Sequence, residues 1–246
     1  MDETGFGLGS EGPDVANLQL KLNESLKPSP NLVTDGKYGN STWAAVKRFQ
    51  EANWLNENGE ADLATQNCLF GCETYQPILH QVRFIRQPDE RTCWAASTAM
   101  MTNSTVEDVI KKTPPGFLIN RGLQNWSKSD GWHMRRMELF GDIHGLNPYP
   151  PMSWPPSALV TALQRGPLMI EMLRDSASYA RGKGSEGHMI VVAGARGDGD
   201  PDGSGKGTTL RILDPSPPRI GSVVSVCAYW WLRRQPTRTY CVWQKK

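Results

Sequence analysis

"QPDERTCWAAS", residues Gln87–Ser97, decides how this chain is read. A lone cysteine stands six residues after a glutamine and opens a run of small and apolar residues, "CWAASTAMM". That run reads as a buried helix beginning at Cys93, with Thr92 as its N-cap. A thiol in the first turn of a helix meets unpaired backbone N–H groups and the positive end of the dipole, which favour thiolate over thiol. The Gln87 amide reaches the same turn. With the Cys93 backbone N–H it offers two donors for the oxyanion that forms when a thiolate attacks a carbonyl. A buried structural cysteine beside a chance glutamine is the competing reading.

A thiolate nucleophile needs a base, and the base needs a partner that orients it. Of the four histidines, His188 opens "HMIVVAGA", an apolar stretch of strand character, and "TTLRILDP", holding Asp214, is a second such stretch. Between them lies the Gly- and Asp-rich "RGDGDPDGSGKG". An antiparallel hairpin folded about Pro201 sets His188 opposite Asp214 on one face, and a bulge in the loop would move that alignment by a residue or two. His80 falls in a connecting segment, His133 on an amphipathic helix and His144 in a loop, so each is a weaker candidate. "DGDPDG", Asp198–Gly203, imitates the start of a calcium loop. Its twelfth position is Thr209, however, and a proline interrupts it, so it reads as a solvated turn and no metal is expected.

The other four cysteines pair on paper. Cys68 and Cys72 in "CLFGC" are near enough to bridge, and a hairpin turning near Arg234 and Pro236 would set Cys227 opposite Cys241. Two disulfides and one reactive thiol imply an oxidising compartment; zinc is the alternative, but the spacing makes no paired knuckles.

Upstream, Val15, Leu18 and Leu22 keep helical spacing after Pro13 and Asp14, and "TDGKYG" makes a turn. Ser41 or Thr42 then caps a second helix with Trp43, Val46 and Phe49 on its apolar side, and "NENGEADLATQNCLF" adds a turn and a short third helix. Residues 73–86, with Val82 and Phe84 alternating, suggest a strand entering the next sheet. "STVEDVIKK" carries a capping box from Ser104, and "PPSALVTALQRG" reads as a helix closed by Gly166, leading to the strand "PLMIEML". Residues 1–75 hold 5 Lys/Arg and 11 Asp/Glu against 22 and 14 in the rest, so the C-terminal part alone is basic. That suits an anionic substrate or envelope surface, or simply a solvated surface. No apolar run approaches the roughly 18 residues of a membrane span, and "MDETGFGLGSEG" does not read as a secretion signal.

Two resemblances follow. "DVANLQLKL…DGKYGNSTWAAVKRFQ" resembles the type 1 peptidoglycan-binding domain at Asp35, Gly36, Tyr38, Gly39, Thr42, Ala45, Val46, Phe49 and Gln50, most of which build the turn and core. "Q-x5-CWAAS" with the later "GHMIVV" and "LDP" resembles papain-like cysteine peptidases, in particular compact bacterial members such as the bacteriocin-processing and plant-pathogen effector peptidases. That resemblance implies Cys93 as nucleophile, His188 as general base and acid, Asp214 as orienter and Gln87 as oxyanion donor, with no cofactor. Papain itself has Asn where this chain has Asp214.

The expected fold is α+β: a small three-helix bundle over 1–72, a linker or first strand over 73–86, and a papain-like domain over 87–246 with a helical half and an antiparallel-sheet half. The expected function is a thiol hydrolase of peptide bonds at the bacterial cell envelope. Its substrate is either peptidoglycan stem peptides or a protein. Delivery to the periplasm or envelope without a visible signal peptide would suit an antibacterial effector toxin with immunity or secretion-machine partners; neither a nucleic acid nor a membrane span is expected. Transglutaminase-type acyl transfer on the same triad, or a catalytically idle wall-binding protein, are the alternatives.

Overall fold

A computed structural model describes residues 5–123, 132–150, 152, 154–173, 187–199, 203–228 and 241–246. The N-terminal helices are α1 (Pro13–Ser25), α2 (Asn40–Ala52) and α3 (Leu63–Phe70). Their apolar stripes meet in one core of Val15, Leu18, Leu22, Val46, Phe49 and Leu55 with Tyr38. Two buried glutamines stitch the turns to this core. Gln19 on α1 donates to Asp35 Oδ1, the Lys37 carbonyl and Thr42 Oγ1, and accepts from the Gly36 N–H. Gln50 on α2 treats the Asn58–Gly59 turn the same way, donating to Asn58 Oδ1, the Glu60 carbonyl and Thr65 Oγ1 while accepting from the Gly59 N–H. Gly36 is obligatory: its φ is +71°, and a Cβ there would lie 2.8 Å from the Gly12 carbonyl oxygen. The helix start expected at Ser41 or Thr42 is corrected, since α2 begins at Asn40 without a side-chain cap and Thr42 is consumed by Gln19.

The second part holds α4 (Cys93–Thr102), α5 (Val106–Lys112), α6 (Trp132–His144) and α7 (Pro156–Leu163). Its strands are β1 (Ile78–Leu79), β2 (Leu118–Ile119), β3 (Gly122–Leu123), β4 (Leu146–Pro148), β5 (Leu168–Leu173), β6 (Gly187–Gly197), β7 (Thr208–Asp214), β8 (Ser222–Cys227) and β9 (Val242–Lys245). The main sheet runs β4-β9-β5-β6-β7-β8 with β1 also on β6, and every pairing among the described residues is antiparallel. The architecture is therefore α+β, as the sequence implies. Alternation along the strands divides the core in two. Met169, Met189, Val191, Leu213 and Trp243 pack with α4 and α6, whereas Ile170, Ile190, Val192, Ile212 and Val242 pack with α7. The alternation changes phase at a bulge between Val192 and Gly194, after which Ala195 joins the α7 side. At Gly194 a Cβ would stand 2.3 Å from the Ile78 carbonyl oxygen, so the missing side chain admits β1.

Several local expectations change. Within 73–86 only Ile78–Leu79 form a strand; Val82, Phe84 and Ile85 pack on the α4 core from irregular chain. The cap of α5 is Thr105, not Ser104: Thr105 Oγ1 accepts from the Asp108 N–H at 3.1 Å, because T-V-E-D offers an overlapping capping box one residue on. No disulfide forms. Cys68 Sγ is turned to the Arg196 guanidinium at 3.0 Å, while Cys72 is exposed beyond the left-handed Gly71 that ends α3. Cys227 ends β8 and Cys241 precedes β9, four strand positions apart; at about 4.8 Å per strand that is about 19 Å, far beyond bridging distance. The hairpin expected around Arg234 lies outside the described residues. The inference of an oxidising compartment loses its support accordingly. Among the described residues no helix is long and apolar enough to cross a membrane, and no cluster of metal-ligating side chains occurs. Asp198 of the calcium-like turn accepts instead from Asn67 and Thr208; residues 200–202 of that turn lie outside the description.

The far end of β6 fastens the sheet to the helical bundle. Arg196, 7% exposed, donates to both carboxylate oxygens of Glu73 at 2.7 and 2.8 Å, to the Asn53 carbonyl and to Cys68 Sγ, with Trp54 5.2 Å from its guanidinium. Removing one partner of a buried ion pair strands the other charge. Arg196→Ala is expected to lower unfolding stability by about 3–5 kcal/mol in urea titrations; a loss under about 1 kcal/mol would mean that this pair behaves as a solvated one.

Candidate active site

Cys93 is the first residue of α4 and is 8% exposed. Its helix is buried from Cys93 to Met101, which fixes its position: Trp94 packs against Phe140, and Ser97, one turn on from Cys93, donates to the Met189 carbonyl at 2.9 Å. That bond joins the thiol's helix to the residue beside His188. Trp94 Nε1 donates to the Arg121 carbonyl at 2.9 Å, tying the helix start to the β2–β3 hairpin.

His188 and Asp214 come together as the strand pattern predicts, with a corrected register. Val191 pairs with Leu213 and Val192 with Ile212, which places Asp214 diagonally across from His188 instead of directly opposite. A slip of two residues keeps both side chains on one face. His188 Nε2 and Asp214 Oδ1 are 2.7 Å apart. The same carboxylate oxygen accepts from the Ser216 N–H at 2.8 Å, an Asx turn at D-P-S that fixes the carboxylate's rotation. Cys93 is the other side chain that acts on the ring, favouring its charged form as Asp214 does. Burial disfavours the charged ring, but the hydrogen bonds to Asp214 and Cys93, with their negative charge, outweigh it and raise the His188 pKa to about 9.

Gln87 is buried and enters the same constellation through its loop. Its N–H donates to the Pro215 carbonyl, next to Asp214, and its carbonyl accepts from the Arg219 N–H. Its Nε2 donates to the Asp89 carbonyl at 2.8 Å. An amide nitrogen has two hydrogens, so one remains to meet a ligand. Thr92 holds the N-cap position but does not cap: its hydroxyl donates back to the Asp89 carbonyl at 3.1 Å and accepts from the Asp89 N–H.

The other histidines are used elsewhere. His80 Nε2 bonds the Leu163 carbonyl at 2.7 Å. His144 bonds Thr113 Oγ1 and packs on Phe140, and burial pushes its pKa down to about 4. His133 falls in α6, and its side chain lies outside the description. Sequence reasoning missed Ser97, Ser216 and the Asp89–Thr92 turn; the D-P-S turn and the spacing of Ser97 from Cys93 were the available signals.

A family model described as papain-like cysteine protease AvrRpt2 matches residues 76–230, and one described as a peptidoglycan-binding domain matches residues 11–69. No curated protein matches the chain. Solved structures that resemble it include an endolysin of the Burkholderia phage AP3 (22% identity, TM-score 0.25), a double-glycine-motif protease of an AMS/PCAT transporter with its leader peptide (19%, 0.36), and a protein of Bacillus anthracis described as a C39-like peptidase (14%, 0.41). The first covers 46% of this chain, which spans only 41% of the endolysin; the other two cover 70% of this chain, and 100% and 99% of their own length is matched.

The raised His188 value has a definite pH signature. Unfolded, the ring loses its proton near 6.5; folded, near 9. The stability contributed by its two partners is therefore whole below about pH 6.5 and lost as pH rises through about 9. NMR titration of His188 in Asp214→Ala/Cys93→Ala is expected to move its midpoint below 6.5, since burial alone then acts; an unchanged midpoint would discard this account.

Proposed function

The chain belongs to the papain-like cysteine protease family of the AvrRpt2 type, and from that premise we propose that it hydrolyses peptide bonds through Cys93, His188, Asp214 and Gln87. One observation carries the reading: a buried imidazole bonded to a carboxylate, with a cysteine at a helix start as the other side chain that acts on it. In this reading the Cys93 thiolate adds to the scissile carbonyl. The free Gln87 amide hydrogen and the Cys93 N–H take the oxyanion. His188 then gives its proton to the leaving amine as the C–N bond breaks, leaving a thioester; it next removes a proton from the water that attacks the thioester, and cleavage of the C–S bond returns the Cys93 thiolate. Asp214, held by the Ser216 N–H, keeps the ring aligned and balances the imidazolium charge.

The matched N-terminal segment favours work at the bacterial cell envelope, with peptidoglycan stem peptides as the substrate; a protein target is the second possibility. Delivery as an antibacterial effector, with an immunity or secretion partner, is the ecological form that this combination suits.

Purified peptidoglycan is digested with the protein and with Cys93→Ala, and released fragments are identified by mass spectrometry. Fragments cut at stem-peptide amides by the native chain alone are expected. Release by both forms would overturn the nucleophile assignment, release by neither would move the substrate to protein, and amine-linked products on adding a primary amine would mark acyl transfer. Gln87→Ala is expected to lower kcat by about 10²-fold with little change in KM, the signature of a donor used only in the transition state.

A further inference from the structure

We propose that Thr92 is the positioning residue for the Gln87 oxyanion donor of the site, acting through the turn that its hydroxyl closes on Asp89. Threonine in the N-cap position ordinarily bonds an N–H of the first helical turn. Here no side chain caps α4. The Thr92 hydroxyl is instead directed backwards, and the residue is fully buried. It donates to the Asp89 carbonyl at 3.1 Å, accepts from the Asp89 N–H at 3.3 Å, and the Thr92 N–H also points to that carbonyl at 3.4 Å. The orientation of the Asp89 peptide groups is thereby fixed from both sides.

The consequence falls on the Gln87 amide. The Asp89 carbonyl is the acceptor for Gln87 Nε2, and among the described residues it is the one hydrogen bond that the Gln87 amide makes, since the buried Oε1 has no partner. The direction of the remaining amide hydrogen therefore depends on the turn that Thr92 closes. Asp89 is further held by the Arg91 N–H on Oδ1 and by Arg121 at 3.4 Å on Oδ2, but that ion pair is half-exposed and adds little. The buried hydroxyl is the stronger constraint.

This inference rests on the peptidase reading, and its test separates the two. N-Acetylglycinal, the smallest peptide aldehyde, adds to a thiolate: a C–S bond forms and the carbonyl π pair moves to oxygen, whose negative charge the oxyanion donors hold. The adduct needs the oxyanion donors, whereas alkylation by iodoacetamide displaces iodide and needs only the thiolate. Both are read on the full chain by mass spectrometry of the Cys93 peptide, the aldehyde through its protection of Cys93 from iodoacetamide. Thr92→Val, which keeps the shape and removes the hydroxyl, is expected to weaken aldehyde binding about tenfold while the alkylation rate stays within about twofold. Thr92→Ser is expected to restore binding, which covers the case in which the valine variant folds poorly. Equal losses in both reactions, or unchanged aldehyde binding in a folded Thr92→Val, would overturn the inference and leave the peptidase reading intact. Failure of the native chain itself to form the adduct would remove the peptidase reading and this inference with it.

Discussion

A buried imidazole that keeps its proton is the interaction on which the rest of this protein is organised. Burial alone would strip the charge from His188, and only the hydrogen bonds and negative charge of Asp214 and Cys93 reverse that. Each partner is in turn held by backbone. Asp214 is rotated into place by the Ser216 N–H, Cys93 by the start of a buried helix, and that helix by the bond from Ser97 to the carbonyl beside His188. The three groups are far apart in sequence, so their meeting requires the sheet register and the packing of α4 on β6 to be right together.

Strand β6 carries both requirements. Its first residues present His188, its middle bends at the bulge between Val192 and Gly194, and Arg196 near its end grips Glu73, Cys68 and the Asn53 carbonyl of the helical bundle. The bundle is thus joined to the strand that bears the imidazole by a buried, multiply bonded guanidinium. The segment matching a peptidoglycan-binding domain is for that reason a neighbour packed against the sheet.

Much of this was legible in the sequence, for identifiable reasons. Apolar runs of strand character flanking a Gly/Asp loop gave the β6–β7 hairpin, and parity put His188 and Asp214 on one face whatever even slip occurred. The slip itself was not readable, because a bulge is decided by what packs against the strand: Gly194 admits the Ile78 carbonyl. The α5 cap falls one residue on from Ser104 because two capping boxes overlap there, and α2 starts ahead of Ser41 and Thr42, the Thr42 hydroxyl being claimed by Gln19. Cysteine spacing misled most. A disulfide between Cys227 and Cys241 looked reasonable only while β8 and β9 were imagined as adjacent; strand order, which sequence separation does not encode, puts three strands between them.

The glutamines show what local pattern can and cannot convey. Gln19 and Gln50 each occupy a helix position whose spacing marks it as buried, and each spends both ends of its amide on a Gly-containing turn. Gln87 is equally buried, yet its carbonyl oxygen has no partner and its nitrogen a single one among the described residues. Leaving a buried amide partly unsatisfied costs free energy, and in the proposed reaction the second Gln87 amide hydrogen would recover part of that cost by donating to the oxyanion.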